Sequence, residues 1–158
     1  MKLLPFFVII PLSAAFLIAV FGKRTKYTGD TITNLTTLLL LVFSVNVSFL
    51  VKSGGVLVYK MGGWMPPIGI GLVADGLTAL MLVTVSLVTF LVTIYAISYM
   101  RSYTDKWKFQ SLFMLMLAGM NGVIISGDFF NLYVFLEIAS ISGYALVAFG
   151  IEPESLEA

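Results

Sequence analysis

The run GDFFNLYVFLEIASISGYALVAF, residues 127–149, governs how the rest of this chain is interpreted. It opens on Asp128, whose carboxylate can accept the free amides of a helical first turn. The residues after it are apolar enough, and numerous enough at 1.5 Å each, to cross roughly 30 Å of hydrocarbon. Glu137 interrupts them about 12 Å along the axis from Phe129, close to mid-membrane. An ionisable group at that depth costs roughly 2.5–3.5 kcal/mol or more and by default marks a functional site facing protein or water. Tyr133, Ser140 and Tyr144 stand at i−4, i+3 and i+7, all within about 60° of Glu137 on the helical wheel. One face therefore carries a carboxylate and three hydroxyls, while the remainder is mainly Phe, Leu, Ile, Val and Ala. The bland alternative is a buried Glu that only anchors one helix to another.

Beyond that helix, composition places the whole chain in a bilayer. Of 158 residues, 59% are hydrophobic and 11% charged, against roughly 45–50% and about 25% in soluble domains. So few charges cannot build a water-soluble surface, and the mean hydropathy of +1.04 agrees. The absence of Cys and His removes disulfides, thiolate metal sites, the usual haem ligation and imidazole proton shuttles. A net charge of +1 leaves no nucleic-acid footprint. No quinone, nucleotide, cofactor or metal motif is present. The remaining chemistry is that of carboxylates, hydroxyls, amides and backbone, which suits moving ions better than making or breaking bonds.

Unbroken apolar runs predict an all-α, polytopic membrane protein with five transmembrane helices, at about residues 3–21, 32–51, 72–100, 109–126 and 129–149. The whole chain, 1–158, reads as a single membrane domain with an acidic tail over 150–158. The first run is followed, not preceded, by its basic cluster, so it reads as a retained helix and not a signal peptide. In the turn-rich loop 52–71, Gly54-Gly55 and Gly62-Gly63 bracket Val56 to Tyr59, a pattern for a short strand pair or a re-entrant turn as readily as for an ordinary loop. Pro66-Pro67 stops any helix before Leu72, and Tyr59 and Trp64 suit the membrane interface. Lys23, Arg24, Lys26, Arg101, Lys106 and Lys108 fall in two loops on one side, against Lys2, Lys52 and Lys60 on the other. The basic excess puts the N-terminus outside and the C-terminus in the cytoplasm of a cell (inner) membrane protein.

Other polar residues are weaker signals. Asn121, seven residues before Asp128, falls at a depth similar to Glu137 if the Ser126-Gly127-Asp128 turn closes an antiparallel hairpin. It can then steady the carboxylate or a water beside it; an amide satisfied by backbone is the equal alternative. Ala118-Gly119 and Gly122 permit close helix approach. Asp75, Thr78, Ser86, Thr89 and Thr93 share one face of the third segment, interrupted by Leu82. Such hydroxyls usually bond the i−4 carbonyl, and Asp75 suits a cap or a dipole partner at the helix start. Met114, Met116 and Met120 read as adaptable packing.

Residues 127–138 and their continuation through Phe149 strongly resemble the fifth transmembrane helix of the antiporter-like subunits. These include the D component of Mrp-type cation/proton antiporters, the ion-pumping subunits of membrane-bound hydrogenases and their relatives in respiratory complex I. Gly62-Gly63-Trp64 and Asp75-Gly76-Leu77-Thr78-Ala79-Leu80-Met81 resemble the family's entry into its third helix. The resemblance implies proton or cation translocation within a multi-subunit membrane complex, with Glu137 in the ion path. In the family this glutamate pairs with a lysine on a later, broken helix. Members are longer and built from two inverted repeats, so the resemblance implies the N-terminal portion of that fold, with Ser155-Leu156-Glu157-Ala158 similar to the entry into the next helix. No intramembrane lysine has a counterpart here. The expected partners are other membrane subunits, a chain supplying the later helices and their lysine, and H⁺ with or without Na⁺. The expected ion-path set is Glu137, Tyr133, Ser140, Tyr144 and Asn121, with no catalysis by the chain itself beyond serving a membrane oxidoreductase. The competing reading is a non-transporting structural or assembly subunit, or an inactive fragment of an ion-pumping one.

Overall fold

A computed structural model describes residues 3–22, 28–63, 69–100 and 105–150. It contains α1 (Phe6–Phe21), α2 (Thr28–Gly54), β1 (Leu57–Lys60), a 3₁₀ turn (Met61–Gly63), β2 (Gly71–Ala74), α3 (Gly76–Tyr99), α4 (Lys106–Ile125) and α5 (Phe129–Val147), ending in a second 3₁₀ turn (Ala148–Gly150). Helices α2 to α5 are each long and apolar enough to cross a membrane. At 16 residues α1 is the shorter one, about 24 Å by the helical rise. The acidic tail beyond Gly150, together with Trp64, Pro66 and Pro67, lies outside the described residues.

The third segment begins later than its hydropathy suggests. Residues 72–74 are extended and pair antiparallel with β1 in the register Leu57↔Ala74 to Lys60↔Gly71. An apolar run this short has no periodicity that separates strand from helix; the available partner strand decides it. Leu72 and Ala74 are buried, while Gly71 and Val73, which alternate with them, are only partly so. Helix α3 then starts at Gly76 because the Asp75 carboxylate accepts the Thr78 amide at 2.8 Å. The second helix also runs further at both ends than residues 32–51, taking in Gly54. The fifth gives way to a 3₁₀ turn after Val147.

Two packing units meet along α4. That helix lies between α1 and α5, while α2 and α3 pair chiefly with each other. The core they share includes Phe7, Ile18, Leu40, Leu82, Met114 and Leu117. The α4–α5 contact is close because Gly119 and Gly122 carry no side chain: a Cβ on Gly119 would sit 2.6 Å from the Ala139 amide nitrogen. The turn between the two helices is tied to the hairpin. The Gly127 amide donates to the Gly71 carbonyl at 2.8 Å. Asp128 both caps α5 through the Asn131 amide, at 2.8 Å, and accepts the Gly71 amide at 3.3 Å.

Candidate functional site

Helix α5 meets α4 along Asn131, Phe135, Ala139 and Ser142. Asn131 and Ser142 are buried, Phe135 lies under Gly122 and Ala139 under Gly119. At 100° per residue, Glu137 stands roughly 150° from the centre of that face. Tyr133, Ser140 and Tyr144 go with it. The four residues named from the sequence therefore form one stripe, on the side of α5 that turns away from α4. Tyr133 is 62% and Tyr144 73% exposed, and Glu137 and Ser140 are half-buried among their own helix neighbours. Among the described residues Glu137 has neither a hydrogen-bond donor nor a cation against it.

Asn121 is not part of this stripe. It is fully buried on the opposite side of α4, and its Nδ2 donates to the Phe7 carbonyl of α1 at 3.0 Å. The expectation that it steadies the carboxylate is corrected: the depth matches, but α4 presents Asn121 to α1 and Phe135's groove to α5. The reason lies four residues beyond Phe7. Pro11 is inside α1 and has no N–H, so the Phe7 carbonyl loses its i+4 donor. In a bilayer that carbonyl must be satisfied from elsewhere, and Asn121 does so.

A second polar cluster is one that the sequence motifs do not mark. Asp30 near the start of α2 forms an ion pair with Lys106, the first residue of α4, at 2.8 Å. Lys106 also donates to the Ile97 carbonyl at 3.0 Å, and the Gln110 amide donates to Asp30. Both charged side chains are over four-fifths buried, so the pair fastens the entrance of α2 to that of α4. A signal for it does exist: 30 and 106 fall at helix ends assigned to the same side of the membrane. On the third-helix face Thr89 and Thr93 bond their own helix, donating to the Val85 and Phe90 carbonyls at 2.8 Å each, whereas the buried Ser86 hydroxyl has no partner among the described residues. No group of three or more His, Cys, Asp or Glu able to hold a metal occurs among the described residues.

A bundle of long apolar helices, four of them long enough to cross a membrane, defines a multi-pass membrane protein. Comparison with known proteins gives the family. The family described as NADH-Ubiquinone oxidoreductase (complex I), chain 5 N-terminus, matches residues 64–110. The chain is 34% identical, over 96% of its length, to 29% of the D component of a probable K(+)/H(+) antiporter of Rhizobium meliloti. It is 45% identical, over 58% of its length, to 19% of NADH-quinone oxidoreductase subunit N of Desulforudis audaxviator. Among solved structures, a chain of the archaeal membrane-bound sulfane sulfur reductase superposes with a TM-score of 0.90 at 32% identity, covering 99% of this chain and 32% of that one. A chain of the Mrp complex from Dietzia sp. gives a TM-score of 0.81 at 33% identity, covering 92% and 27%. The chain belongs to the antiporter-like family shared by complex I and the Mrp antiporters, and spans under a third of the length of these relatives.

Proposed function

We propose that this chain forms the N-terminal part of a proton- or cation-translocating subunit in an Mrp-type or complex I-like membrane assembly, and that the outer face of α5 is one wall of the ion path. The single observation that carries this reading is the stripe itself. Glu137 stands near mid-helix on the face of α5 away from α4, beside Tyr133, Ser140 and Tyr144, with no partner among the described residues. A carboxylate left against lipid at that depth is costly, so the face is built to meet further protein or water. A chain supplying later helices and a cation covers it. Proton or cation exchange is what the names of the antiporter relatives indicate, and a lone ionisable group on a hydroxyl-lined face suits it.

The test is Glu137→Gln in the assembled complex. Gln keeps the volume and hydrogen bonding but cannot ionise. Ion-coupled transport in vesicles, normalised to assembled complex, should drop by roughly tenfold or more, the scale of losing a proton-handling group. Glu137→Asp should fall between, because it keeps the charge and withdraws it by one methylene. Tyr133→Phe and Ser140→Ala should cost less, since water replaces a lost hydroxyl in a hydrated path. Wild-type transport by Glu137→Gln would overturn the proposal and leave a structural role for this chain.

A further inference from the structure

The interface between α2 and α3 is unusually rich in buried hydroxyls: Thr33, Thr36, Thr37 and Ser44 from one helix, Ser86, Thr89 and Thr93 from the other. Several are satisfied inside the protein. Thr37 bonds the Thr33 carbonyl at 3.1 Å and meets the Thr93 hydroxyl across the interface, also at 3.1 Å. Two neighbouring oxygens on α2 are not satisfied. Thr33 Oγ1, on a residue 4% exposed, and Asn34 Oδ1 have no partner among the described residues. Both residues line one small cavity between α2, α3 and α4, with Thr93, Ala96, Gln110 and Phe113 among the other residues of its wall. Its free volume, about 10 Å³, is the room a single water molecule needs.

We infer that this cavity is an internal water site. One water accepts from the Thr33 hydroxyl, donates to Asn34 Oδ1 and reaches Thr93 on the facing helix, which gives it the two to four partners a buried water requires. A cation fits less well. The lining side chains are uncharged, and Asp30 and Lys106 beside Gln110 already neutralise one another, so nothing compensates a desolvated charge. The water extends the Asp30–Lys106–Gln110 cluster into the bilayer. Asn34 Nδ2 already donates to the Asp30 carbonyl at 2.8 Å. The polar connection then runs from Asp30 through Asn34 and the water to Thr93 and Thr37, about 10 Å along α2 by the helical rise. It ties the paired helices α2 and α3 to the head of α4, and it is independent of Glu137.

Two measurements on the assembled membrane complex test the site. A short X-ray pulse in ¹⁸O-enriched water generates hydroxyl radicals wherever water is bound. Phe113 is 8% exposed yet lines the cavity, so it should acquire the label; a Phe113 free of label overturns the inference. The second is the sign of a stability change. Thr33→Val removes a hydroxyl without altering volume much. If the hydroxyl holds a water, Tm should fall by roughly 2–4 °C, as for one lost hydrogen bond, and Thr33→Ser should recover most of it. If the cavity is dry, Thr33→Val relieves an unsatisfied polar group, and an unchanged or raised Tm overturns the site.

Discussion

The Phe7 carbonyl, Pro11 and the Asn121 amide act as a unit of three individual residues. Proline in an apolar helix removes one donor, and Asn121 on another helix replaces it at 3.0 Å. Asn121→Leu should lower stability by about 1–3 kcal/mol, the cost of leaving a buried carbonyl bare. In a Pro11→Ala background, residue 11 supplies its own N–H to Phe7, and the same Asn121→Leu change should cost markedly less. Denaturant titration of the four combinations gives the coupling energy; strictly additive costs would sink the pairing. Asn121 also marks where inference from sequence stops. Counting from the Asp128 turn fixes how far along a helix Asn121 lies, but not the direction in which it points, and direction separates it from Glu137. Glu137, Tyr133, Ser140 and Tyr144 are legible as one stripe because helical spacing alone puts them together. The Asn121 partner is hidden in a separate signal, the proline at position 11.

Among the elements, the hairpin of β1 and β2 holds the geometry of two helix starts. One arm ends at Asp75, the cap of α3, and the other side of β2 binds Gly127 and Asp128 at the start of α5. The Thr78 amide and hydroxyl donate to the Asp75 carboxylate and hold it below its ordinary value of 3.8. A depressed carboxyl favours the folded state fully above the ordinary carboxylate range, and that contribution disappears as pH falls through the folded value. Asp75→Ala should therefore lower Tm by a few degrees at neutral pH, with the gap to wild type narrowing on acidification. Asp75→Asn, which keeps an accepting oxygen, should be milder and should flatten the acid dependence. Thermal melts across that pH range check both. Flanking glycines suggest the first strand; the second reads as helix, because Leu72-Val73-Ala74 continues an apolar run and only the pairing with β1 reveals it. At the other interface, Gly119→Val should push α5 off α4, since even one carbon there meets the Ala139 backbone. Cross-linking between cysteines placed at the two helices should be lost in that variant.

Across the bundle as a whole, the charges that set orientation are separable from those that set packing. Lys106 belongs to both groups: it counts toward the basic side and is committed to Asp30 at 2.8 Å. That pair places the beginnings of α2 and α4 at one end of the bundle, as an alternating path through five helices requires. It does not say which compartment that end faces, because an ion pair is indifferent to the side of the membrane. Direction rests on the Lys and Arg flanking the spans, six on one side and three on the other. With Lys106 and Lys108 left out because they pair with Asp30 and Asp105, the excess is smaller, four against three, yet keeps its sign. We therefore expect the starts of α2 and α4 to face the cytoplasm. The check is labelling of single cysteines by a membrane-impermeant reagent in intact cells. Ser53, exposed near the end of α2, should react from outside. Thr25 and Thr104, which lie in the two basic loops and outside the described residues, should react only after the cytoplasmic face is opened. Adding Asp30→Asn distinguishes the two roles of charge: it unpairs Lys106 and loosens the α2–α4 entrance, but restores a free positive charge to the basic side. Orientation should therefore hold or strengthen while stability falls. Reaction of Thr25 from outside would reverse the assignment, whatever happens to Lys106.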